Sequence, residues 1–78
     1  GTLTFVTRVG CSLCDEARPV VERLATRAGV ALEEADVDAV PALSEWSDHV
    51  PVVLVDGVEH SRWWVDERAL ARALGVRV

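Results

Sequence analysis

The sequence predicts an α/β fold, a single mixed sheet with helices packed over it in the order β-α-β-α-β-β-α, and three observations carry that prediction. A helical apolar stripe lies between two short strand-like segments. The dipeptide Asp56-Gly57 divides two more. The only cysteines, Cys11 and Cys14, stand where the first strand gives way to the first helix. A strand, helix and strand joined so compactly run parallel with a right-handed crossover, whereas an Asp-Gly hairpin is antiparallel. The sheet is therefore mixed.

Leu3 to Thr7 reads as a buried first strand. From Leu13 the apolar residues Leu13, Ala17, Val20, Val21, Leu24 and Ala28 recur at helical spacing, and Gly29 ends the run. Val30 to Asp38 reads as the second strand, and its acidic Glu34, Asp36 and Asp38 share one side, as suits a solvated edge. Pro41 fits the first turn of a short helix reaching to around Ser47, with Asp38 or Ala39 near its start and Trp46 as its anchor to the core. Val52 to Val55 and Val58 to Arg62 flank Asp56-Gly57, which accepts the positive φ values of a tight two-residue turn. Asp66 caps a last helix whose apolar stripe is Leu70, Ala73 and Leu74 and which ends at Gly75.

At 78 residues the chain is expected to be one domain, residues 1–78, because so short a chain buries only about 60% of its unfolded surface. Half of its residues are apolar, unlike a disordered segment. A net charge of −5 with no basic cluster along the chain argues against nucleic acid, whose recognition leans on concentrated Lys and Arg. No apolar run approaches the roughly 18 residues of a membrane span, and the N-terminus has none of the regions of a secretion signal. A cytoplasmic protein with no membrane partner is expected. All eight basic residues are Arg, and Lys, Ile, Asn, Gln, Tyr and Met are absent, a bias of G+C-rich bacterial genomes.

Cysteines two residues apart close too small a loop to staple a fold, so they fit catalytic or metal chemistry better than a structural framework. At a helix N-terminus the free amides favour a thiolate, which makes Cys11 the expected nucleophile. Cys14, one turn further in and less exposed, is the expected resolving thiol. Asp15 and Glu16 oppose thiolate formation, whereas Arg8 and Arg18 favour it. His49 and His60 read as solvated, His49 being the better placed of the two beside Val50-Pro51. Glu33, Glu34, Asp36 and Asp38 read as a solvated face without the spacing of a hard-cation loop. Trp63 and Trp64 are neighbours on a strand and so point to opposite faces; one indole is expected in the packing and the other accessible near the dithiol.

Three segments together resemble the thioredoxin-fold superfamily, and within it the short bacterial glutaredoxin-like proteins. They are Cys11-Ser12-Leu13-Cys14 after the first strand, Pro19 five residues beyond Cys14, and His49-Val50-Pro51-Val52-Val53-Leu54 followed by Asp56-Gly57. The resemblance covers nearly the whole chain. It implies a thioredoxin-like fold with a four-stranded mixed sheet, a cis Val50-Pro51 bond facing the dithiol, and thiol-disulfide oxidoreductase activity. It implies no resident cofactor, only an external thiol reductant such as glutathione or a thioredoxin-type donor. The implied partner is a disulfide-containing protein or a low-molecular-weight thiol, met by a monomer. Val50 would offer its backbone to an extended peptide, Pro51 its shape, Trp64 an apolar contact and Asp66 a polar anchor.

The chain also departs from that pattern. Glutaredoxins typically carry Pro and an aromatic residue between the cysteines, where this chain has Ser12 and Leu13. Their glutathione site uses a Gly-Gly turn and an acidic residue before the last helix, where this chain has Arg62-Trp63-Trp64-Val65-Asp66. Weak glutathione turnover and better reading of protein disulfides are expected. A rival expectation makes the dithiol a carrier of a soft ion such as Cu(I), or of an iron-sulfur cluster shared with glutathione between two copies. Small copper chaperones, however, place a Met before the motif and follow a β-α-β-β-α-β order. A third is an interaction module with a vestigial dithiol.

Overall fold

In the computed structural model, which describes residues 1–77, Thr2–Thr7 (β1) is an inner strand of a four-stranded sheet. The order across the sheet is β2 (Ala31–Asp36), β1, β3 (Val52–Val55), β4 (Val58–Arg62). β1 pairs parallel with β2, β3 pairs antiparallel with β1, and β4 antiparallel with β3. The sheet is mixed, as the two kinds of connection require.

Strand alternation gives β1 and β3 two buried faces. Leu3, Phe5 and Val53 point to one side, where they pack with Val21 and Leu24 of α1 (Ser12–Ala28) and Leu70 of α2 (Glu67–Leu74). Val6, Val52 and Leu54 point to the other, where they meet Val37, Leu43 and Trp46. Trp46 ends a 3₁₀ helix, Pro41–Trp46, and anchors it to this smaller core as expected.

Local signals set most boundaries. Gly29 adopts φ 69° and its amide, with that of Val30, satisfies the last carbonyls of α1. Asp56 and Gly57, at φ 51° and 83°, make the turn of the β3–β4 hairpin. A register shift between Val53 and Leu54 leaves His60 as the extra residue of a bulge in β4.

Three expectations need correction. β2 ends at Asp36, because the Asp36 carboxylate accepts the Asp38 amide (2.9 Å) and turns the chain away from the sheet. The 3₁₀ helix starts after Val40 with no side-chain cap, since the Asp38 carboxylate is held by Arg8 instead. In α2 the buried pair is Leu70 and Ala71, and Ala73 is exposed. That helix meets α1 through Glu67, Leu70, Ala71 and Leu74, one helical face, and Glu67 pairs there with Arg23.

The basic residues also sort themselves in space. No basic run exists along the chain, yet Arg23, Arg27, Arg68, Arg72 and Arg77 gather around the packed helices. Among the described residues no helix is long and apolar enough to cross a membrane.

Candidate active site

Gly10 takes φ 82° after β1 and lets the chain turn sharply into α1. The Cys11 amide closes that turn on the Arg8 carbonyl at 3.2 Å. Cys11 is the N-cap of α1, with φ −85° and ψ 109°, and its Sγ accepts the Cys14 amide at 3.1 Å. A sulfur therefore stands where helices usually place a serine or aspartate oxygen. Cys14 lies one turn on, fully buried, whereas Cys11 is half-buried. Their Cα atoms are 5.2 Å apart and the two sulfurs form a disulfide.

Strand register brings the other expected residues to the same end of the sheet. Val6, the penultimate residue of β1, pairs with Val52, and Val52 pairs with Arg62. Pro51 and Trp63 thus emerge beside the strand end that leads into Cys11. The Val50–Pro51 peptide bond is cis; Pro51 is buried, and Val50 packs against the smaller core. Asp66 is the N-cap of α2, its Oδ1 accepting the Ala69 amide at 3.1 Å.

The two tryptophans depart from expectation. Neither lies in β4, which ends at Arg62, and both are exposed, Trp63 by 52% and Trp64 by 65%. With Val65 they face Leu13, Glu16 and Val20 of α1 across an open groove. Sequence reasoning assigned Leu13 and Val20 to the buried stripe of α1, but Leu13 is 50% exposed and lies in the groove wall. Glu16 was read only as a charge near the dithiol and Val65 only as part of the segment before α2, since only the tertiary fold sets them opposite the indoles. The histidines, expected to be solvated, are only partly so. His49 and His60 are half-buried, and each keeps its Nδ1 enclosed without a hydrogen bond among the described residues.

The arginines around the dithiol are tied up in pairs. Arg8 donates to Asp38 (2.8 and 3.2 Å) and to Ser47 Oγ (2.7 Å), and the bond to Asp38 holds that carboxyl below its ordinary pKa. Arg18 donates to Glu34 through two bonds of 2.8 Å and to Asp15 through another, and it lies over the Phe5 ring at 6.0 Å. Its hydrogen bonds lower the Glu34 pKa in turn. Arg62 donates to Glu59 (2.6 and 2.8 Å) and lies over the Trp46 ring. The acidic face is thus partly an ion-pair surface. Among the described residues no group of three His, Cys, Asp or Glu side chains is placed to hold a metal ion.

The chain matches the Glutaredoxin-like domain (DUF836) family over residues 2–75. It is 39% identical over 72 residues to uncharacterised proteins of Mycobacterium tuberculosis and Mycobacterium bovis, which covers 85% of this chain and 74% of theirs. Its structure is similar to a structural-genomics target protein from X. campestris, with a TM-score of 0.72, 33% identity and coverage of 94% and 95%. It is also similar to a mutant thioredoxin from Halobacterium salinarum, with a TM-score of 0.69, 30% identity and coverage of 94% and 70%. Thioredoxin 1 of Thermosipho africanus, at 20% identity and a TM-score of 0.68 over 96% of each chain, shares the fold. The paired Cys11 and Cys14 support a redox thiol function in this setting. Because the family match runs through the dithiol, the Val50–Pro51 segment and the whole sheet, the chain belongs to the glutaredoxin-like domain family of the thioredoxin-fold superfamily.

Proposed function

We propose that the protein is a thiol-disulfide oxidoreductase in which Cys11 is the nucleophile and Cys14 the resolving thiol. The observation that carries this reading is the asymmetry of the pair: Cys11 is half-buried at the helix N-cap, and Cys14 is fully buried within bonding distance behind it. Amide donation and the helix dipole favour an anion at the N-cap and do less for a sulfur inside the first turn.

In the reduced protein the Cys11 thiolate attacks one sulfur of a substrate disulfide. The substrate S–S bond breaks, one half leaves as a thiolate that takes a proton from water, and the other half stays bound to Cys11 as a mixed disulfide. Cys14 then gives up its proton to water and its thiolate attacks the Cys11 sulfur, breaking the mixed disulfide, and the second half leaves as a thiolate that takes a proton from water. The substrate has gained two electrons and the protein holds the Cys11–Cys14 disulfide. An external thiol donor restores the dithiol by the reverse exchange, and no resident cofactor takes part.

Val50 and Pro51 supply backbone and shape for an extended substrate strand, and Trp64 an apolar contact. Asp66, the fourth expected binding residue, acts through its cap on α2. The test is covalent trapping: Cys14→Ser should accumulate a mixed disulfide on Cys11, visible as an added mass that dithiothreitol removes. Cys11→Ser should take up no substrate. A Cys14→Ser protein that turns over normally, or labelling that prefers Cys14, would overturn the assignment.

A further inference from the structure

Trp63 is exposed but not loose. Its φ of 69° lies in the left-handed region, costly for a bulky side chain. Three contacts hold it there. Its amide donates to the His49 carbonyl (2.9 Å), its indole Nε1 donates to the Asp48 carbonyl (3.0 Å), and its ring meets the His49 ring edge-on at 5.5 Å. An indole fixed in solvent against its backbone preference is a built surface, and such backbone costs cluster at binding sites.

We infer that the groove between Trp63, Trp64 and the first turns of α1 receives one large apolar side chain of a protein substrate, near the substrate's disulfide and flanked by Arg or Lys. This rests on the disulfide-exchange reading above. Size decides for a single side chain: the groove is about 180 Å³, and an apolar cavity of about 150 Å³ accepts one benzene ring. Position ties it to the chemistry, since Leu13 in its wall lies between Cys11 and Cys14 in the chain. Charge chooses the flank. Glu16 lines the groove and forms no ion pair among the described residues, whereas Arg8, Arg18 and Arg62 are each held by a carboxylate. Anionic flanks therefore meet Glu16 and arginines already paired. Glutathione, with net negative charge and no large apolar side chain, matches neither feature.

Four ten-residue peptides test this, each with one Cys carrying a thionitrobenzoate leaving group, with Phe or Ala two residues away and Arg or Glu as flanks. Reduced protein in single turnover should release the chromophore about tenfold faster from Phe than from Ala peptides, which corresponds to about 1.4 kcal/mol. Arg flanks should gain about a further threefold at low salt, a gain that salt screens. Trp64→Ala should bring the Phe preference below about twofold, and Glu16→Arg, on an exposed helix position, should reverse the flank preference. The same peptides with Ser for Cys, titrated at millimolar concentration into the oxidised protein, should shift the indole N–H resonances of Trp63 and Trp64 for Phe only. Exchange that ignores both Phe and flank would overturn the groove and leave disulfide exchange standing. Resonances that move selectively without exchange on any peptide would overturn exchange and uphold the groove.

Discussion

At the scale of single residues, Trp63 departs furthest from what its type prefers. The left-handed region costs a residue with a Cβ roughly 1–2 kcal/mol, and glycine avoids that cost. Trp63→Gly and Trp63→Ala both lose the indole, its hydrogen bond to the Asp48 carbonyl and its edge-on contact with the His49 ring, but only Ala keeps the unfavourable backbone. Trp63→Ala should therefore be the less stable of the two by about 1 kcal/mol in urea unfolding. Equal midpoints would show that the turn relaxes once the indole is gone. Cys11 and Cys14 were legible in the sequence, because thiolate chemistry and helix spacing fix them locally. The conformation of Trp63 was not, because the partners that hold it are fifteen and fourteen residues away, across the chain from β4.

At the scale of elements, caps and turns were readable and sidedness was less so. Gly29, Gly75, Asp66 and Asp56-Gly57 end or start elements through their own backbone or side chain, and each does so in the structure. The end of β2 and the burial of Ala71 rather than Ala73 depend on what packs opposite, which periodicity does not specify. Asp66 tests whether a cap or an anchor matters there. Asp66→Ala should lose about 1 kcal/mol of stability, and Asp66→Asn, which keeps the cap, should recover most of it with activity intact. A stable but inactive Asp66→Asn would instead make the charge a substrate contact. An ion pair adds to the apolar packing that joins α1 to β2. Arg18 holds the Glu34 pKa below its ordinary value of 4.5, chiefly by hydrogen bonding, against partial burial and with help from Thr7. A carboxyl lowered in the native state contributes stability above its unfolded pKa and loses it as pH falls through the native one. The pair is part-exposed and screened, so Arg18→Ala should cost under about 1 kcal/mol at pH 7. That difference should shrink as pH falls below 4.5, measured by urea unfolding at pH 7 and pH 3.

At the scale of the molecule, the fold separates charges that the sequence leaves mixed. Arg23 and Arg27 lie about 18 and 24 Å along α1 from Cys11, at the helical rise of 1.5 Å per residue, and α2 adds Arg68 and Arg72 nearby. Around the dithiol, Arg8, Arg18 and Arg62 are each bound to a carboxylate, Asp15 being one of them, whereas Glu16 and Asp48 form no ion pair among the described residues. Asp15 and Glu16 beside Cys14 are plain in the linear sequence, but the remote cluster is not, since its arginines are spaced along two helices that only the fold brings together. Salt separates near from far charges. The screening length is about 30 Å at 0.01 M and about 8 Å at 0.15 M, against molecular dimensions of 32 × 23 × 16 Å. At low salt a small disulfide therefore meets the field of the whole chain, net −5, and at physiological salt only the carboxylates beside Cys11. Dicationic cystamine should be reduced faster than anionic oxidised glutathione at 0.01 M salt, less so at 0.15 M, and with little electrostatic preference at 1 M, where screening reaches about 3 Å. Replacing Arg27 and Arg72 by Gln removes two distant positive charges without touching the dithiol end. It should widen the preference at 0.01 M and leave it unchanged at 0.15 M. An equal effect at both salt concentrations would mean that those arginines act through the fold rather than through the field, and a preference indifferent to salt would mean that charge does not select small disulfides here.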